Sequence, residues 1–346
     1  MRAVRIGLAL AFLLGCGRDP AMVDWTDRLL RAERKLDTGN AVGAMEDFRI
    51  LERSALSAAD RVHAWIRIAE VHRRTGDFSR AEHILSEQSR VARDMDRELL
   101  AKLHYYRGRV VIDSGDVERG QALLQRVMNH FPNQVFGGRA HNYLRGRVRA
   151  RGEAAFLAWC QREYLLLKGT DLADNMLYDT GRTYFERETP SDDERAAEFY
   201  GVILERWNFF NGPLYDDALW DLSLIYHRRQ EYALEIDLLH RLLATREVTA
   251  TPLGTYQIPK YRQAVFRLGR IYYEDLGQFE DAAAEFARFR EMWPSSRRKD
   301  DTLWWEAHAW KRAGNTDKAE ALFARLLREY PDSKYSRRVR EGHPGP

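Results

Sequence analysis

The side chains that do chemistry in proteins are spread through this chain without the spacings chemistry needs. Its 10 histidines never fall into H-E-x-x-H or any close pair that would hold a metal from one helix face. No G-x-S-x-G presents a nucleophilic serine. No G-x-G-x-x-G or phosphate-binding loop turns backbone amides toward a phosphate. There are 2 cysteines, too few for a disulfide framework or a cysteine zinc cluster. Cys160 falls on an apolar helix face and reads as a buried, inert thiol. Asp192, Asp193 and Glu194 read as a charged turn ahead of a helix. The pattern predicts no enzyme, no metal and no cofactor.

Binding chemistry is better represented. Arg139, Arg145, Arg147, Arg149 and Arg151 follow one another with no acidic residue between the first and the last. On a helix, Arg145 and Arg149 share one face and Arg147 and Arg151 another. Such a patch suits lipid phosphates, lipopolysaccharide or an acidic partner. The alternative is a solvated face balanced by acids elsewhere. Trp207, Phe209, Phe210 and Tyr215 surround an Asn-Gly-Pro turn, where they can form a peptide-binding hot spot or pack one repeat on the next. Trp304, Trp305 and Trp310 read first as core and second as groove.

These residues must be positioned by a repeating scaffold. The stretch Gly277–Pro294 returns 37 residues later as Gly314–Pro331. Both carry a glycine, an alanine five residues on (Ala282, Ala319), a phenylalanine at nine (Phe286, Phe323) and a proline at seventeen. Taking the opening residue as register mark, copies start at Gly39, Gly76, Gly115, Gly152, Ser191, Gln230, Gly277 and Gly314, in steps of 37, 39, 37, 39, 39, 47 and 37. The copy at Gly152 matches least well. Each copy reads as two helices around a tight turn. Glycine adopts the left-handed cap without strain, and Asp77, Asp116 and Asn315 then cap the second helix. A small residue seven places before the mark (Ala32, Ala69, Gly108, Ser223, Ala307) lets the second helix cross closely. Gly181 and Gly269 take that place in copies with slightly longer turns. Between Gln230 and Gly277 about nine residues are inserted around 248–259, with prolines and β-branched residues that stop a helix.

These positions resemble the tetratricopeptide (TPR) repeat. Endings such as Tyr330-Pro331-Asp332-Ser333 are similar to the longer repeats of periplasmic TPR proteins, among them the TPR lipoprotein of the outer-membrane barrel-assembly machine and the Tol–Pal TPR coordinator. The resemblance covers residues 22–340 as a repeat type. It implies an all-α fold, a right-handed TPR superhelix (α-solenoid) of about eight helix-turn-helix repeats, since a single pair cannot bury both its faces. It further implies a scaffold that binds protein partners in its groove.

The N-terminus adds a location. Arg2 and Arg5 precede an apolar run from Ile6 to Leu14, the shape of a secretory leader and too short to span a bilayer. Leu13-Leu14-Gly15-Cys16 resembles the lipobox of bacterial lipoproteins, which implies cleavage after residue 15 and acylation (palmitate) of Cys16. Residues 16–21 then form a lipidated tether of at most about 18 Å between Gly17 and Ala21. Gly17 in place of an aspartate leans toward the outer membrane, facing the periplasm, in this resemblance. Without the leader the charge is 53 basic against 52 acidic residues, which gives little reason to expect nucleic acid. Apolar residues at 45% and charged residues at 31% exclude wholesale disorder. Residues 341–346 read as a loose tail.

The expectation is therefore a non-catalytic, lipid-anchored scaffold of an envelope complex for outer-membrane assembly, secretion, motility or wall synthesis. The alternatives are an accessory protein binding envelope glycan or lipid, and a non-catalytic subunit of a cell-wall enzyme.

Overall fold

The computed structural model describes residues 20–247, 250–251, 254–255, 259–343 and 345. The leader, Cys16 and most of the expected tether lie outside the described residues, as does much of the 248–259 insertion. Among the described residues there are seventeen helices. Eight consecutive pairs account for sixteen of them: α1 (Pro20–Asp37) with α2 (Ala41–Arg53), α3 (Ala58–Arg74) with α4 (Phe78–Val91), α5 (Arg97–Asp113) with α6 (Val117–His130), and α7 (Val135–Arg149) with α8 (Glu153–Leu167). Then follow α9 (Ala173–Phe185) with α10 (Pro190–Arg206), α11 (Tyr215–Arg228) with α12 (Tyr232–Glu247), α13 (Pro259–Arg270) with α14 (Phe279–Met292), and α15 (Lys299–Arg312) with α16 (Thr316–Glu329). A last helix, α17, spans Lys334–Arg340. The chain forms two compact units, residues 1–176 and 177–346. Each is an all-α stack of helix pairs, as the repeat pattern requires.

The turn inside a pair is a local chemical device. At Gly39 (φ +84°) the backbone turns left-handed, its N–H donates to Leu36 O, and the next N–H, of Asn40, reaches back to Lys35 O. The Asn40 side chain then accepts from Gly43 N, so one residue closes the first helix and caps the second. The same arrangement recurs at Gly76–Asp77 and Gly314–Asn315. Gln230 adopts it at φ +59° with a side chain present.

Close packing follows from the small residues. A Cβ at Gly108 would meet Leu124 Cδ2 at 2.7 Å, one at Gly181 would meet Tyr200 Cε1 at 2.9 Å, and one at Gly269 would meet Phe286 Cε1 and Cζ at 2.8 Å. Ala32, Ala69, Ser223 and Ala307 are buried at the equivalent place. Cys160 is fully buried in the apolar cluster of α5 to α9, as its helix face predicts. Charge also couples repeats. The pairs Glu33–Arg67, Glu82–Arg119, Asp193–Arg228 and Glu235–Arg267 each join positions about one period apart.

The fifth repeat corrects three expectations: the place of its turn, the reading of Asp192 and Asp193 as a turn, and the register of Gly181. The fifth turn lies at Glu188 (φ +54°), three residues before Ser191, because Thr189 caps the helix and Pro190 opens it. Asp192 and Asp193 therefore lie within the first turn of α10, nearly buried, and bind Arg187 and Arg228. The helix gains a turn at its start while Ala196, Tyr200 and Ile203 keep their packing places. Gly181 then stands seven residues before the turn, in regular register. Gly269 stands eight before Gly277, and the surplus residue is taken up by a π-helical turn at Ile271–Asp275. In the copy marked by Gly152, Arg145 occupies the small-residue position, and Gly146 beside it is exposed with open space around it. Among the described residues, the insertion holds a two-residue antiparallel β pairing, Ala250↔Thr255 and Thr251↔Gly254, in keeping with residues that stop a helix.

The C-terminal end is closed by aromatics. Tyr335 of α17 lies 5.9 Å from Trp304 between ring centroids, and His343 lies 6.3 Å from it. His308, 2% exposed, packs on Trp304 at 4.2 Å and Phe323 at 5.0 Å, and its Nε2 is buried without a hydrogen-bond partner. Burial, then the charges of Lys311 and His343, push its pKa down to about 4. A protonated His308 is disfavoured only in the folded state. Stability is thus intact above pH 6.5 and falls as pH drops toward 4. At pH 5 the loss is about 2 kcal/mol. Urea unfolding at pH 7 and pH 5 should show a loss of at least this size, because burial also lowers the pKa of His63, His72 and His104, and His308→Leu should reduce the loss by about 2 kcal/mol.

Candidate functional groove

Two troughs run along first helices of pairs, one in each unit. In the N-terminal unit a cavity of about 280 Å³ lies over α3, α5 and α7, with Leu85 of α4 at its base. Tyr105, Tyr106 and Phe136 form an aromatic cluster there, with Tyr105–Phe136 and Tyr105–Tyr106 centroids 5.4 and 5.7 Å apart. Arg109 donates to the Tyr105 hydroxyl at 3.4 Å and stacks 5.0 Å over Tyr143, while Arg139 stacks 4.5 Å over Phe136. Glu70 holds Arg73 and Arg74, and Asp113 accepts from Arg73 at 3.1 Å.

In the C-terminal unit a cavity of about 320 Å³ lies over α11, α13 and the π-helical turn, closed at one side by Arg298. Trp220 and Phe266 supply its apolar wall. Its charges are paired: Arg267 and His227 both bind the buried Glu235, Arg270 binds Glu274, and Arg298 binds Asp301. The π turn brings Glu274 and Asp275 into this lining. Among the described residues no three of histidine, cysteine, aspartate and glutamate gather as metal ligands, and no helix is long and apolar enough to cross a membrane.

The five candidate arginines do not form one patch. Arg139 enters the first trough. Arg147 stacks 5.5 Å over Tyr143, and Arg149 5.1 Å over Phe156. Arg151 donates to Gln121 at 2.7 Å, and Arg145 is half-buried with its Nε shielded. The four candidate aromatics also diverge. Phe209 and Phe210 meet edge to face at 5.8 Å, with Phe210 59% exposed. Trp207 lies against Gly212, where a Cβ would meet its own Cβ at 2.7 Å, and Arg241 donates to the Tyr215 hydroxyl at 3.3 Å. Trp304 is core, and Trp305 packs against Phe266, Tyr273 and Phe286. Trp310 carries Lys318 3.7 Å over its ring.

The trough residues that spacing alone did not single out share one register. Tyr105, Trp220 and Phe266 each stand three residues before the small residue of their repeat, and Arg109 and Arg270 stand one after it. Ring and arginine are thus four residues apart in Tyr105/Arg109 and Phe266/Arg270 and share one helix face, the one that lines the trough.

The tetratricopeptide repeat family model matches residues 271–334. No curated protein matches the chain. Among solved structures, PilW, described as a widely conserved type IV pilus biogenesis factor, is 14% identical with a TM-score of 0.36, covering 80% of this chain and 97% of its own. The C-terminal part of a TPR repeat-containing protein from Cytophaga hutchinsonii is 14% identical with a TM-score of 0.42, covering 80% and 99%. The apo form of RapI is 12% identical with a TM-score of 0.43, covering 88% and 86%. The likeness to the barrel-assembly and Tol–Pal proteins stays at the level of repeat type.

Proposed function

We propose that this chain is a non-catalytic scaffold that holds segments of protein partners along its first-helix troughs, anchored to a bacterial envelope membrane through acylated Cys16. The observation that carries the reading is the trough construction itself. Rings and guanidinium groups from successive repeats converge on a concave strip in each unit, and arginine and aromatic side chains are what buried partner anchors use. The TPR repeat type supports protein recognition. The leader and lipobox resemblance supports an envelope site, with the outer membrane favoured by Gly17. The complex served is one of outer-membrane assembly, secretion, motility or wall synthesis.

Affinity purification of the anchored chain from crosslinked membranes tests the scaffold. Stable, stoichiometric partners are expected, and their absence overturns the reading. The anchor has its own test. Wild-type chain should incorporate labelled palmitate and fractionate with membranes, whereas Cys16→Ala should do neither. Equal labelling of the two, or equal solubility, removes the lipoprotein part and leaves the scaffold standing.

A further inference from the structure

The two troughs differ in charge, and the difference identifies the partner chemistry of the first. In the C-terminal trough the guanidinium groups of Arg267, Arg270 and Arg298 already face carboxylates of the same unit. In the N-terminal trough Glu70 and Asp113 are engaged by Arg73 and Arg74. Arg109 and Arg139 have rings beneath them and, among the described residues, no carboxylate in ion-pair contact. Asp113, whose charge acts on Arg109, is the acid that Arg73 binds. Arg109 also keeps a buried Nε with no hydrogen-bond acceptor. Arg147, 5.5 Å over the Tyr143 ring, likewise has no carboxylate in ion-pair contact among the described residues. Lys102, on the same helix as Arg109, is pushed below its usual pKa first by burial and next by the charge of Arg139. Among the described residues, Arg109 and Arg139 therefore bring positive charge to the trough without a carboxylate in ion-pair contact.

We infer that the trough of the N-terminal unit takes an acidic, extended protein segment, its carboxylates on Arg109 and Arg139 and its apolar side chains on Tyr105 and Tyr106, which pack on the buried Phe136. This rests on the scaffold reading and gives it a partner class. A guanidinium already stacked on a ring is pre-organised, so it forms a charge-assisted pair with little further ordering. The aromatic floor is what selects a peptide. A polyphosphate has no apolar groups to place on it, and a bilayer surface is too flat to enter the trough.

The test uses the full-length chain in detergent and a fluorescent peptide in which glutamates alternate with leucine and tyrosine, beside its glutamine counterpart. The acidic peptide should bind, more weakly as salt rises. The glutamine peptide should bind at least about tenfold more weakly, and the double variant Arg109→Gln/Arg139→Gln should lose about the same factor for the acidic peptide. Arg109→Lys/Arg139→Lys, which keeps the charges, should recover most of it. Arg90→Gln, on an exposed arginine paired with Glu87 outside the trough, should change nothing. If the glutamine double variant fails to fold, Arg139→Gln with Arg147→Gln, both at exposed positions, reads the same charge. Equal binding of the two peptides overturns the inference, as does acidic binding that survives the substitutions. So does binding of the chain to phosphatidylglycerol vesicles that the substitutions abolish while no peptide binds. Purification from membranes separates this from the broader reading. A Gln variant that keeps every wild-type partner removes the acidic trough and spares the scaffold, whereas a wild type with no partner removes the scaffold.

Discussion

Phe286→Ala will lower the stability of the C-terminal unit by about 3–5 kcal/mol, seen as a fall in the urea midpoint and loss of exchange protection in α13 and α14. The ring is fully buried, and it is held from three sides. Phe266 meets it edge to face at 5.4 Å, Trp305 lies tilted at 5.6 Å, and Gly269 presents bare backbone beneath. Removing it leaves a void that α13 and α14 cannot close, because their crossing is fixed by the connection that joins them, the π turn followed by the Gly277 cap. The trough of this unit shares Phe266, so the same substitution should loosen its apolar wall. A loss of well under 1 kcal/mol would mean that the helices can collapse onto the gap. The repeat register would then not be what sets their spacing.

That contact was legible in the sequence because it repeats. Small residue, turn and ring stand at fixed separations, and packing tolerates little variation in them. The turn itself was legible only where glycine marks it. At Glu188 an ordinary residue accepts the left-handed conformation, and only the Thr189–Pro190 start signal could have revealed it. The π turn was visible as one surplus residue between Gly269 and Gly277 without saying how the helix would absorb it. Trough residues were harder for a different reason. They lie about forty residues apart in the chain and meet only through stacking and ion pairs between repeats, whereas of the arginines from 145 to 151 only Arg145 and Arg149 share a helix face. Alternate residues on a helix point about 200° apart, and Arg151 has already left the helix.

Asp221→Ala should cost about 3–5 kcal/mol, more than deletion of an ordinary hydrogen-bonded side chain, because it strands its partners. Asp221 is 3% exposed on α11. It accepts from the Tyr178 hydroxyl at 2.8 Å, Arg182 Nη1 at 3.1 Å and the Tyr200 hydroxyl at 3.3 Å, so one carboxylate joins α9, α10 and α11. Both phenols are held far above their usual pKa, first by burial and then by the charge of Asp221, so neither can ionise to replace it. Arg182 would keep only Glu186, at the more exposed end of its reach. Asp221→Asn retains acceptors for the hydroxyls and should cost markedly less, which separates the lost charge from the lost shape. In a stack where each repeat touches only its neighbours, stability is a sum of repeat and interface terms. Weakening this junction should therefore raise hydrogen exchange in α9 to α11 while leaving α15 and α16 protected. Uniform loss of protection across α9 to α16 would instead show that the C-terminal unit unfolds as one block, with Asp221 a term in its total and not a junction between repeats.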